Sequence, residues 1–176
     1  MTSASVERAI EIEDAGPGPV PGRVEYLTFV TRDRRLAAPI TEVREIRNWS
    51  NPTTLPHAPP YLLGVVNLRG TVLPVVDLAL RLGIGPTPAG SRNVFVVVEV
   101  DDRPIGLLVE AVADIVSPGP DDHQPLPDGG MVDGSGLIDG LILVEDGMIQ
   151  ILQLSALSIL RPDAGDPSHP STEDRP

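Results

Sequence analysis

Short runs rich in Val, Ile and Leu, broken by turn residues, fill the middle of this chain, and they come in two sets that repeat. The first set falls at about residues 23–31, 35–40, 42–47, 61–68 and 71–76. The second falls near 94–100, 104–110, 112–117, 138–144 and 148–153. Aliphatic runs this short and this evenly spaced read as strands of a barrel or sandwich. Advancing residues 29–46 by 69 sets Phe29 on Val98, Asp33 on Asp102, Arg34 on Arg103, Leu36 on Ile105 and Val43 on Val112. The same shift sets Glu45 on Asp114 and Ile46 on Ile115. Further along the shift becomes 76, so that Gly64 falls on Gly140, Val72 on Met148, Asp77 on Gln153 and Leu78 on Leu154. The added residues belong to the second connection, 117–137, which is longer than its counterpart. Any two aliphatic meanders match somewhere, but here the Asp-Arg turns and the glycines match along with the apolar positions. The expected architecture is all-β: two similar five-stranded half-barrels sharing an apolar seam. With aromatics at only 3%, that seam must be packed aliphatics.

Two short helical pieces interrupt the strands. Asp77 suits an N-cap, Leu78 to Leu82 are good helix formers, and Gly83 suits the position after the helix. Residues 155–160 (SALSIL) read the same way, with Ser155 as the cap. Gly and Pro crowd residues 15–22 (AGPGPVPG) and recur through 161–176 without apolar periodicity. Residues 1–22 and 161–176 are therefore expected to be disordered tails around a folded part at 23–160, because they cannot bury enough surface to offset ordering entropy. The first tail still holds Val6, Ile10 and Ile12, which would allow a short helix near 5–13.

Charge and chemistry narrow the function. The net charge is −12 and all 13 cations are Arg. Such an acidic chain is a poor match for duplex nucleic acid, since neutralising phosphates takes clustered cations. There is no Cys, which removes disulfides, thiolate zinc sites and cysteine nucleophiles. No apolar run approaches the roughly 20 residues a membrane helix needs, and the N-terminus lacks the pattern of an export signal. A cytoplasmic location without membrane insertion is the expectation. His57, His123 and His169 lie in Pro-rich loops or the C-terminal tail, where a histidine is ordinarily solvated. There is no G-x-S-x-G elbow and no glycine-rich phosphate loop, so no cofactor is expected. Asp121, Asp122, His123, Asp128, Asp133 and Asp139 invite a calcium reading, but they lack the alternating pattern and distal Glu of such a loop and read as solvated. Asp101-Asp102 reads as a hairpin turn. Trp49 follows a strand as a partly buried anchor or an interface residue.

Residues 58–83 stand apart (APPYLLGVVNLRGTVLPVVDLALRLG). Asn67-Leu68-Arg69-Gly70 interrupts an otherwise apolar run; Arg69-Gly70 fits a turn, and an arginine there can simply be a solvated hairpin tip. At this stretch the sequence resembles the CheW family of chemotaxis adaptors. The matching pieces are Val43-Arg44-Glu45-Ile46-Arg47, Ala58-Pro59-Pro60-Tyr61, Gly64 through Thr71, and Leu73-Pro74-Val75-Val76-Asp77-Leu78. Ile105 to Glu110 and Val112 to Ile115 are similar as well, and the likeness extends over about residues 24–160.

The resemblance implies two five-stranded SH3-like β-barrels around a shared apolar core, with short helices. It implies an adaptor, not an enzyme, that joins the cytoplasmic tip of methyl-accepting chemoreceptors to the regulatory domain of a CheA-type histidine kinase. The chain would then work in the cytoplasm, at membrane-associated receptor arrays. In the family, the Glu of V-x-E-I and the Arg of N-L-R-G serve receptor and kinase coupling. Those motif positions fall on Glu45 and Arg69, accompanied by Val43, Gly64 and Gly70, and they suggest neighbouring strands of the first half-barrel. Two alternatives stand beside this: a similar scaffold in a non-motility chemosensory pathway, and a sensor holding a small apolar ligand in the seam between barrels.

Overall fold

Each of the ten aliphatic runs forms a strand, some by alternating apolar and polar side chains and others apolar throughout. A computed structural model describes residues 21–126 and 136–157. In it the strands are β1 (Tyr26–Thr31), β2 (Arg34–Pro39), β3 (Val43–Asn48), β4 (Leu62–Leu68) and β5 (Thr71–Asp77), then β6 (Val94–Val100), β7 (Arg103–Val109) and β8 (Ala111–Val116). A short β9 (His123–Pro125) precedes β10 (Ile138–Val144) and β11 (Gly147–Leu152). Residues 1–20 of the first expected tail, all of the second, and most of the 117–137 connection beyond β9 lie outside the described residues.

The strands form two sheets, ordered β8-β1-β2-β11-β10-β9 and β3-β6-β7-β5-β4. Each sheet takes strands from both sequence repeats. The first two strands of one repeat pair with the last three of the other, and exchanging the repeats turns one strand order into the other, β9 aside. The match extends to detail. The parallel pair β2–β11 corresponds to β5–β7, and each sheet carries bulges at equivalent places, Leu27/Phe29 with Val43/Glu45 and Ile138/Gly140 with Leu62/Gly64.

β9 was not expected, yet it too has a counterpart. Gln124 pairs opposite Leu141 on β10, and Thr53 forms a single bridge opposite Val65 on β4. In both halves the chain thus returns to the free edge of the same strand. His123 consequently sits on a sheet edge, its ring 5.7 Å from that of Tyr26, and not in a solvated loop. Burial, with the Asp139 charge nearby, pushes the Tyr26 phenol up from its usual value.

Burial arranges the apolar side chains in three layers. The largest cluster fills the space between the sheets, with Phe29, Leu36, Val96, Val98, Leu107 and Val109 among its members. Tyr26, Ala37, Ile142, Ile149 and Ile151 pack on the other face of the first sheet. Val75, Phe95 and Leu108 do so on the second. Successive residues of β6 and β7 alternate between layers, so these strands are apolar on both faces. That is why they read as unbroken hydrophobic runs.

The helical piece after β5 ties the second sheet to the segment that follows. α1 spans Leu78–Arg81, with Asp77 as its N-cap and Gly83 just beyond it. Asp77 is 3% exposed, and its carboxylate accepts from the N–H groups of Ala79, Leu80 and Thr87 and from the Thr87 hydroxyl. Asp77→Ala would strand these donors, at a cost of about 3 kcal/mol from the lost cap and the charge-assisted hydrogen bonds. Urea unfolding should show it, while Asp77→Asn, which keeps an acceptor, should lose less. The second expected helix differs from the sequence reading: Leu154–Leu157 is a turn of 3₁₀ helix that begins one residue before Ser155, and residues 158–160 lie outside the described part.

Candidate functional site

Glu45 and Arg69 meet, but not as neighbouring strands would bring them together. β3, which carries Glu45, and β4, which leads into the turn of Arg69, are the two opposite edges of the five-stranded sheet. The sheet curls until its edges approach, and Arg69 Nη2 then donates to Glu45 Oε2 at 3.2 Å. The expected placement on adjacent strands is thus corrected, because coiling of the twisted sheet supplies a contact that the ladder does not. The Glu45 side chain is 25% exposed against 74% for Arg69. A pair this open contributes about 0–1 kcal/mol to folding. The second carboxylate oxygen of Glu45 is buried and has no hydrogen-bond partner among the described residues.

A bulge decides which way Glu45 faces. Residues two apart on a strand ordinarily share a face, so Glu45 should follow Val43 into the core. Instead Val43 pairs opposite Val98 and Glu45 opposite Val97, with Arg44 as the extra residue. Val43 packs on the cluster between the sheets, as Val98 does, and Glu45 takes the other face. Arg44, freed by the bulge, pairs with Glu99 on the adjacent β6.

Arg69 is presented by a two-residue hairpin between Leu68 and Thr71. Arg69 has φ +51° and Gly70 φ +83°, the left-handed pair of a type I′ turn. Gly70 meets nothing where a Cβ would stand, so its role is conformational. For Arg69 the same backbone region costs roughly 1–2 kcal/mol, because its Cβ crowds the following carbonyl.

Gly64 acts differently. The chain leaving β3 returns so closely that a Cβ on Gly64 would lie 2.1 Å from the Thr53 carbonyl oxygen. The bridge this allows has Thr53 N–H donating to Val65 O at 2.8 Å and Val65 N–H to Thr53 O at 2.9 Å. Gly64 therefore lets the segment around Thr53 dock on the edge strand β4.

Exposed apolar residues complete the surface and were not singled out from sequence. Ile46 on β3 and Val72 on β5 are 41% and 63% exposed, and their repeat partners Ile115 and Met148 are 45% and 52% exposed. The repeat alignment already paired these positions; what it could not show was that both pairs face outward. Trp49 is half-exposed with its ring 5.2 Å from that of Phe95, so it is both an anchor and a surface residue. Of the acidic positions that invited a calcium reading, Asp128 and Asp133 lie outside the described residues, and among the described residues there is no metal-binding group. No helix there is long and apolar enough to cross a membrane.

The wider comparisons agree with this architecture. Residues 25–160 match the CheW-like domain family. A probable chemotaxis protein CheW from Rhizobium etli is 40% identical over 136 residues, covering 77% of this chain and 88% of that protein. A chemotaxis protein CheW from Bacillus subtilis is 27% identical over 133 residues, covering 76% and 85%. Among solved structures, the scaffolding protein TtCheW from Thermoanaerobacter tengcongensis superposes with a TM-score of 0.69 at 27% identity, covering 75% of this chain and 90% of that one. With two strand-exchanged sheets, a V-x-E-I bulge and an N-L-R-G turn that meet where the opposite edges of one curled sheet approach, and a family match running from Glu25 to Leu160, this chain belongs to the CheW-like family.

Proposed function

We propose that this chain is a non-enzymatic adaptor of chemotaxis signalling, coupling methyl-accepting chemoreceptors to a CheA-type histidine kinase at cytoplasmic receptor arrays. The observation that carries the reading is the Glu45–Arg69 pair: two charges from opposite sheet edges, the arginine displayed on a strained turn. Val43 anchors the bulge that frees Glu45, Gly70 permits the turn, and Gly64 holds the flanking segment in place. An exposed cation and a half-buried carboxylate suit reading a helical receptor hairpin, whose own charges would set register in a helix-in-groove mode. The pseudo-equivalent apolar pairs Ile46/Val72 and Ile115/Met148 suit a kinase domain of similar fold. For a sensor with a ligand in the seam, the space between the sheets would have to open; Phe29, Leu36, Val96 and Leu107 fill it, each fully buried.

Reconstitution tests the reading. Added to a receptor cytoplasmic fragment and the kinase, the protein should raise autophosphorylation and saturate at a stoichiometric ratio, consuming nothing itself. Nucleotide hydrolysis by the protein alone, at a rate that survives repurification, would overturn it.

A further inference from the structure

The two halves of the molecule match strand for strand, and one place where they diverge is the hairpin tip that carries Arg69. Both tips are two-residue loops, Leu68 opposite Thr71 in the first half and Val144 opposite Gly147 in the second. In the first, Asn67 Oδ1 accepts from the Gly70 N–H at 2.9 Å, capping a donor that the hairpin ladder leaves over. At the equivalent position the second half has Leu143, and the residue matching Arg69 is Glu145, whose backbone is outside the left-handed region. There the loop is held instead by Arg35, which pairs with Asp146 at 2.8 Å and pulls its carboxyl below the usual range. Arg69 is thus in a conformation that arginine disfavours, at the one of these two tips with an asparagine cap; Arg32, at the same place in the β1–β2 hairpin, is also left-handed, and there it is the Glu110 carboxylate that accepts from the Arg32 N–H.

We infer that Asn67 is a positioning residue: by capping Gly70 it holds Arg69 in the left-handed conformation and so aims the guanidinium at Glu45 and at an acidic or carbonyl-rich partner surface. The inference rests on the adaptor reading for its consequence, but not for its geometry. Asn67 is itself exposed and packs no core, so its replacement should leave the fold standing.

Two readouts separate positioning from simple structure. At positive φ the amide and α protons of one residue lie close together, so Arg69 should show a strong intraresidue amide–α NOE in the parent and in Asn67→Asp, which keeps the acceptor, and a weak one in Asn67→Ala. Binding to a receptor cytoplasmic fragment with the kinase should weaken roughly fivefold in Asn67→Ala, about the factor of one hydrogen bond. Asn67→Asp should restore it, and Asn67→Ala should add nothing on top of Arg69→Ala. A strong NOE surviving in Asn67→Ala, or losses that simply add, would overturn the inference. Parent-like binding by Arg69→Ala would instead overturn the adaptor role of Arg69, while the NOE still decides what Asn67 does.

Discussion

Arg69→Glu is expected to abolish kinase coupling and leave the fold intact. In the folded protein Arg69 touches Glu45 through a single bond at 3.2 Å, and its side chain is three-quarters exposed. Losing that pair, and opposing two carboxylates in its place, should move the melting temperature by no more than about 3 °C, since exposed pairs contribute at most about 1 kcal/mol. At an interface the same reversal is a different matter. It opposes like charges where the partner expects a cation and leaves the partner's acceptor unmatched, a cost of about 3 kcal/mol or more. That corresponds to a loss of affinity of roughly a hundredfold. Glu45→Arg should behave likewise, and the double reversal should recover part of the coupling if the two side chains act as one unit. Full coupling by Arg69→Glu, with an unchanged circular dichroism spectrum, removes Arg69 from the site.

Gly64→Ala should be the most destabilising single-methyl addition in the described part of the molecule. Its backbone, at φ +140°, is one that side-chain-bearing residues rarely adopt, and the new carbon would stand 2.1 Å from a backbone oxygen that cannot swing aside. Strain and overpacking together cost about 4 kcal/mol, or roughly 10 °C for a chain of this size. Relief would break the Thr53–Val65 bridge and release the segment around Thr53 from the sheet edge. The repeat supplies the control. At the equivalent Gly140 a Cβ would be 3.3 Å from the Gln124 carbonyl oxygen, so Gly140→Ala should cost only about 1 kcal/mol. Equal losses at the two glycines, measured by thermal unfolding, would show that the close approach of Thr53 is not what Gly64 serves.

These two outcomes turn on features that differ in how far sequence can reach them. Strand positions were legible because short runs rich in aliphatic and β-branched residues, bounded by turn residues, act locally, and all ten runs became strands. So were the Asp77 cap and the Arg69-Gly70 and Asp101-Asp102 turns, where a few adjacent residues set the backbone. The repeat was legible too, as matched glycines and turns at fixed shifts. β9 was not: His123, Gln124 and Pro125 carry no alternation, and only the open edge of β10 makes them a strand. By itself the sequence determined the strands, their turns and the two-fold kinship of the halves, because those follow from neighbours along the chain. Which strands share a sheet, the bulge that turns Glu45 away from Val43, and the curl that carries Arg69 across to it were decided only by tertiary structure. Each depends on pairing between residues distant in sequence, and a residue's own neighbours say nothing about the partner across the ladder.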